Sequence, residues 1–239
     1  MRYGVLGDIH SNLQAMEAVL GALEGAGVDG YLCLGDLVGY GADPKAVVDR
    51  IRDLDPVLVA GNHDWGVAGR LSLNYFNQQA KAAIHWTRTA LPKEDVRWLG
   101  SLSPLAIEGD LTLAHGTVHE PDRFDYLQTP YDAYLSFECL TTSIGFVGHS
   151  HIPVTFFDGA PVTYSVDERI ELGERRAIAN VGSVGQPRDE DWRAAYGIYD
   201  AEARVVEVHR IDYDVDQAAE RIIDAGLPPI LGDRLHVGR

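Results

Sequence analysis

Cysteine is scarce in this chain: Cys33 and Cys139 are the only two among 239 residues. Two thiols do not make a disulfide framework, so a reducing, cytoplasmic setting is expected. Cys33 lies inside the apolar run "YLCLGD" and reads as a small buried residue. Long hydrophobic runs are missing too. No stretch approaches the ~20 apolar residues that a bilayer demands, so no membrane association is expected. The opening "MRYGVLGDIH" puts Asp8 and His10 where an export signal would keep its apolar stretch, and none is expected. Positive charge is the third shortage. Lys and Arg number 20 against 36 Asp and Glu, a formal net charge of −16. Nonspecific nucleic-acid binding relies on Lys and Arg neutralising phosphates, so that class is excluded. The deficit would also disfavour a phosphorylated ligand, unless the acidic groups hold cations that reverse the local field.

What the chain does have is apolar residues, 46% of the total, enough for a substantial core. No linker, repeat or low-complexity stretch divides it, so residues 1–239 are expected to form a single domain. "RYGVLGD" reads as a short buried strand. Residues 12–25 carry Leu13, Met16, Val19, Leu20 and Leu23 at helical spacing, with Ser11 or Asn12 as N-cap. "DGYLCLGD" is a second strand, Pro44–Leu54 a helix with proline at its start, and "PVLVAGNHD" a third strand. This βαβαβ rhythm implies a mostly parallel sheet covered by helices. Two further helices are expected over 77–89 and 93–102. Strands follow at 105–108, 111–115, 144–148, 153–157, 161–165, 176–181, 195–200 and 204–211, then a helix over 215–225 and a tail.

Three strand ends share one pattern, an apolar run, a glycine and then polar residues: "VLGDIH" at 5–10, "LCLGDL" at 32–37 and "LVAGNHD" at 58–64. "LTLAHG" at 111–116 and "GFVGHSH" at 145–151 join them, and together they hold five of the nine histidines. Parallel strands bring their C-terminal ends to one sheet edge, where ligand sites gather. Asp8, His10, Asp36, Asn62, His63, His115, His149 and His151 are therefore expected to converge. In "GHSH" the two imidazoles sit at alternate positions, which point the same way from an extended segment. Carboxylate, imidazole and amide oxygen suit borderline divalent ions such as Mn, Fe, Co, Ni or Zn. The absence of cysteine from the set excludes a structural zinc knot. Seven candidate ligands exceed what one tetrahedral ion needs and suit two ions sharing a carboxylate.

"GDIHSN", "GDLVGYG", "GNHD", "HG" and "GHSH", in that order over residues 7–151, resemble the motifs of the calcineurin-like metallophosphoesterases. "GDLVGYGADP" and "NVGSVGQPRD" at 180–189 are similar to small bacterial and archaeal members, some described as diadenosine-tetraphosphatase-like. The resemblance implies an α/β (α+β) fold: a four-layer αββα sandwich of two mixed β-sheets flanked by helices. It implies a first ion on Asp8, His10 and His151, a second on Asn62, His115 and His149, and Asp36 as the bridge. It implies hydrolysis of a small phosphorylated substrate, a phosphodiester, phosphomonoester or dinucleotide polyphosphate, by in-line attack of a hydroxide bridging the ions. His63 would donate a proton to the leaving oxygen. The superfamily also holds inactive members that serve as interaction platforms, and a metal-binding scaffold of this kind is the alternative.

The resemblance breaks at one place. The protein Ser/Thr phosphatases of this superfamily carry "GDxxDRG", whereas here Gly39 and Tyr40 replace the Asp and Arg. A carboxylate that would orient His63 is thereby missing, as is a phosphate-binding Arg, for which Arg188 is the candidate replacement. The other candidate substrate contacts are Asn12, which could equally cap a helix, and Tyr40, which could stack on a base or fill a turn. Asp64 is expected to brace its loop and His85 to be structural, and residues 117–140 to wall the substrate pocket.

Overall fold

The computed structural model describes residues 1–239. Its first half runs β1 (Arg2–Leu6), α1 (Leu13–Ala26), β2 (Gly30–Cys33), α2 (Pro44–Leu54), β3 (Val57–Leu58), α3 (Asn62–Ala68), α4 (Gln78–Ala90) and α5 (Lys93–Ser101). Then come β4 (Leu105–Glu108), β5 (Leu111–Ala114), α6 (Pro130–Cys139), β6 (Ile144–Val147), β7 (Val154–Phe157), β8 (Thr163–Ser165) and β9 (Arg169–Glu171). The chain closes with β10 (Ala177–Asn180), β11 (Ala194–Asp200), β12 (Val205–Ile211), α7 (Val215–Asp224) and α8 (Ile230–Asp233).

The strands form two six-stranded sheets, ordered β3-β2-β1-β11-β12-β9 and β4-β5-β6-β10-β7-β8. Each has a parallel trio, β1–β2–β3 in one and β5–β6–β10 in the other, extended by antiparallel neighbours. Parallel neighbours need a crossover, which α1 and α2 supply in the first sheet. α1 forms because Ala15, Met16, Val19, Leu20 and Leu23 fall on one buried face; Asn12 caps its start and Gly27, at φ 66°, its end.

The inner faces of the sheets meet in a core that joins Val5, Leu32 and Leu34 of the first to Leu113, Phe146 and Ala179 of the second. On the outer face of the first sheet a larger core of 31 buried residues gathers α1, α2, α4, α5, α7 and α8. The outer face of the second carries α6, through Ala133 and Phe137. This is the four-layer sandwich that the motifs implied, with most helices on one side.

Several local expectations need correction. "GNHD" is not a strand end but the first turn of α3: Gly61 is its N-cap, and Asp64 accepts from the Gly61 N–H at 2.8 Å. Residues 130–139 form α6, started by Thr129, whose hydroxyl oxygen accepts from the Asp132 N–H. β9 is an unforeseen strand and makes β12 internal. His85 lies exposed on α4 and is not packed into the core. The expected tail contains α8, whose Leu231 is fully buried.

No helix is long and apolar enough to cross a membrane. The C-terminal ends of both parallel trios open on one rim of the sandwich, and the motif residues follow them.

Candidate metal centre

The loops after β1, β2 and β6 take an unusual backbone. Asp8, His10, Asp36, His149 and His151 have φ of 53°, 50°, 50°, 67° and 62°, and Ser11 and Tyr40 share this left-handed region. Non-glycine residues seldom enter it, and strain there costs about 1–3 kcal/mol each unless the surroundings impose it. Here they do. The His10 N–H donates to the Asp36 carbonyl at 2.9 Å, the Asp8 N–H to the Gly35 carbonyl at 3.1 Å and the His149 N–H to Asp8 Oδ1 at 3.0 Å. The extended-segment reading of "GHSH" is therefore corrected. With His149 and His151 both left-handed, the segment is a tight turn, and its imidazoles go to different neighbours.

Asp8, His10 and His151 form one buried group, and Asp36, His115 and His149 another, each with its ligand atoms within 4.8 Å of one another. Asp36 Oδ2 is 3.5 Å from His10 Nε2 and 3.3 Å from His115 Nε2, so its carboxylate faces both groups. Asn62 Oδ1 is 3.1 Å from His115 Nε2, and His151 Nε2 is 3.3 Å from Asp8 Oδ1.

The tautomers fit this cluster to hold a cation. His10 Nδ1 donates to the Val38 carbonyl at 3.1 Å, His115 Nδ1 to the Leu34 carbonyl at 2.7 Å and His151 Nδ1 to the Gln186 carbonyl at 2.5 Å. In the neutral ring this leaves Nε2 a lone pair. Yet His10 Nε2 and His151 Nε2 face each other at 3.2 Å, where two lone pairs repel. His115 Nε2 likewise meets Asn62 Oδ1, Asp36 Oδ2 and His149 Nδ1, the last at 3.1 Å. Buried acceptors turned on acceptors fit divalent cations between them, with the carbonyls as the outer partners that orient ligating imidazoles. The structure brings all seven candidate ligands together in this cluster.

Without metal, protons take that role. Burial pulls the His115 imidazole down, but Asp36 and Asp8 overcome it and raise its pKa from 6.5 to about 9. His10, His149 and His151 are lowered, with burial the leading cause, and stay neutral. Because its folded pKa is raised, protonated His115 stabilises the metal-free fold fully below pH 6.5, and that contribution is lost as pH rises through about 9. Metal loading near neutral pH should therefore expel roughly one proton from His115, with apparent affinity climbing up to about tenfold per pH unit across that window. Titration calorimetry in buffers of differing ionisation enthalpy measures this, and heats independent of buffer would refute it.

His63 stands in a cluster with His10 and Asp36, and its N–H donates to Asp36 Oδ1 at 2.8 Å. Burial lowers its pKa to about 4; Asp36 opposes this and Arg188 adds to it. Its Nδ1 is buried with no partner. Gly39, at φ 94°, lies against it so closely that a Cβ there would stand 2.3 Å from Nδ1, so no orienting carboxylate fits at this position. Asp64 braces the two loops as expected, accepting from the N–H groups of Leu37 and Val38.

A cavity of about 460 Å³ opens over the centre. Tyr40 and Arg188 line it, as do Asp36, Asn62, His63, His149 and His151. Asn12 does not. Its Oδ1 caps α1 and its Nδ2 donates to the Gly185 carbonyl at 3.0 Å, so the substrate-contact expectation is dropped in favour of the helix cap. From the expected wall at 117–140, residues 122–126 reach the cavity. The facing wall, drawn from residues 71–80, escaped sequence reading, although "LNYFN" sets two aromatics between polar residues just before a helix.

A family model described as the calcineurin-like phosphoesterase superfamily domain matches residues 1–204. An uncharacterized protein of Methanocaldococcus jannaschii is 41% identical over 243 residues, which cover 98% of this chain and 97% of the relative. The crystal structure of a metallophosphoesterase from Sphaerobacter thermophilus superposes with a TM-score of 0.90 at 38% identity, over 100% of this chain and 99% of that one. A hypothetical protein from Pyrococcus horikoshii shares the fold, with a TM-score of 0.81 at 20% identity over 100% and 98% of the two chains.

Proposed function

This chain belongs to the calcineurin-like phosphoesterase superfamily, and from that membership we propose that it is a two-metal phosphoesterase. The observation that carries the reading is the ring of buried imidazole, carboxylate and amide groups whose acceptor atoms turn on one another, with Asp36 facing both groups. Asp8, His10 and His151 would hold one ion, Asn62, His115 and His149 the other, and Asp36 both. Oxygen and imidazole donors without thiolate suit Mn, Fe, Zn, Co or Ni. When bound, the ions supply Lewis acidity and a water ionisable near neutral pH, the chemistry of in-line displacement at phosphorus.

The chain's own groups do the rest. Two carboxylates, Asp8 and Asp36, against two divalent ions leave the centre formally positive, so an anionic ester is drawn in despite the acidic bulk. His63, neutral at rest, faces the space over the centre. An approaching phosphoryl group raises its pKa, the direction a proton donor to the leaving oxygen requires. Arg188 fits a role in orienting a phosphoryl oxygen that does not react. The inactive-scaffold alternative finds no support in a lost ligand or a lost His63. Cys33 and Cys139 are free, which suits a cytoplasmic setting.

Bis-p-nitrophenyl phosphate and p-nitrophenyl phosphate test the reading, assayed with each of these metals. We expect turnover of at least one that a chelator abolishes and added metal restores. Failure of both, and of nucleotide esters, with every metal would overturn it.

A further inference from the structure

The cavity is far larger than one phosphoryl group. At about 460 Å³ it falls within the roughly 300–1,000 Å³ of pockets that enclose a whole small molecule. Beyond the metal ligands its lining includes the rings of Tyr40, Tyr75, Phe76, Phe124 and Tyr126. Tyr126 stacks on His149, ring centroids 4.0 Å apart and planes 19° from parallel. Phe76 meets His63 edge-on at 5.2 Å, and Phe124 meets His115 at 5.9 Å. Tyr75 and Tyr126 leave 83% and 47% of their surface exposed at the cavity. Flat rings held bare beside a phosphoryl site present faces on which a base can stack.

The charges set a second limit. Beyond the centre, the cations lining the cavity are Arg123 and Arg188. Arg123 is already paired with Glu120 and Asp125, each at 3.2 Å. Asp122 and Asp125 line the cavity as well. Arg188 makes no ion pair; its Nη2 donates to Gln186 Oε1 at 3.2 Å, and its Nε is buried without a partner. One unpaired guanidinium, in a cavity also lined by Asp122 and Asp125, suits a single phosphoryl group better than a chain of further phosphates.

We propose that Tyr75 and Tyr126, backed by the buried Phe76 and Phe124, select esters carrying one phosphoryl group and one flat, uncharged aromatic moiety such as a nucleoside, and discriminate against dinucleotide polyphosphates. The proposal rests on the phosphoesterase reading and narrows the substrate class of the same site.

Two esters with one leaving group separate the contributions. Thymidine 5′-p-nitrophenyl phosphate and methyl p-nitrophenyl phosphate both release p-nitrophenol and differ only in the group retained. The thymidine ester should be favoured about five- to a hundredfold in kcat/KM, the range that stacking on aromatic rings supplies. Tyr75→Ala should cut that ratio several-fold, while Tyr75→Phe, which keeps the ring, should preserve it. Tyr126→Ala should act likewise, with metal content measured because Tyr126 touches His149. Diadenosine tetraphosphate should be a poorer substrate than the thymidine ester. A ratio near one in the unaltered protein, a ratio unmoved by Tyr75→Ala, or preference for the tetraphosphate would overturn the proposal. If no ester is hydrolysed, the phosphoesterase reading fails by itself. Calorimetric binding of thymidine monophosphate against methyl phosphate to metal-loaded protein then decides on the wall, with the same ratios expected.

Discussion

Asp36→Asn is expected to reduce hydrolysis to background, a loss of at least about a thousandfold in kcat, or ~4 kcal/mol of barrier. The carboxylate faces both candidate ion positions, with Oδ2 3.5 Å from His10 Nε2 and 3.3 Å from His115 Nε2, closer to His115 than Asp8 Oδ1 at 3.9 Å. Asparagine keeps the shape and removes the charge. It also tolerates the left-handed backbone at this position, φ 50°, and its Oδ1 can still accept the His63 N–H. The fold should therefore survive, and circular dichroism and a thermal scan would check that it does. The metal-free variant carries a second signature. Without the Asp36 charge His115 loses its largest support against burial, so the proton release on metal loading should shrink along with the affinity. A variant retaining activity within about tenfold would show that the two groups do not share this carboxylate.

His63→Ala should separate substrates by leaving group. General acid catalysis contributes about 10²–10⁴-fold, and it matters most when the departing oxygen is basic. An alkyl ester should lose that much in kcat, whereas a p-nitrophenyl ester, whose leaving group needs little protonation, should lose far less. His63 is well placed for this distinction. It shares a cluster with His10 and Asp36, lines the cavity, and has no carboxylate on Nδ1, because Gly39 packs there. Ring packing against Tyr40 and Phe76 holds the imidazole, and the backbone N–H that donates to Asp36 Oδ1 remains in the variant, so the ligand geometry should survive. A plot of log kcat against leaving-group pKa should be steeper for the variant than for the unaltered protein. Parallel plots would show that His63 acts on binding or on metal retention and not on proton transfer.

The centre was readable in the sequence because its ligands follow strands of one direction. β1, β2, β5 and β6 end just before Asp8, Asp36, His115 and His149, and a glycine marks the turn in three of the four cases. The conformation of those turns was not readable. Aspartate and histidine do not announce a left-handed φ, and the hydrogen bonds that impose it come from residues far along the chain, such as the Asp36 carbonyl reached by the His10 N–H. Alternation in "GHSH" thus suggested an extended segment, where tertiary bonding makes a turn. α3 was hidden because "LVAGNHD" reads as a strand until Gly61 caps a helix. α6 was hidden by apolar residues on its exposed side, Tyr131 and Tyr134, which blur the helical pattern, although Thr129, Pro130 and Asp132 make a recognisable start. β9, three residues in an exposed–buried–exposed pattern, takes its identity from its pairing with β12. Asn12 went both ways on sequence, and its bonds to Ala15 and Gly185 decide for the cap.

Anomalous diffraction from manganese-loaded crystals tests the central claim most directly. Two peaks are predicted about 3.5–4 Å apart, one within bonding distance of Asp8, His10 and His151, the other of Asn62, His115 and His149, with Asp36 touching both. A single peak, or peaks away from these seven side chains, would contradict the account.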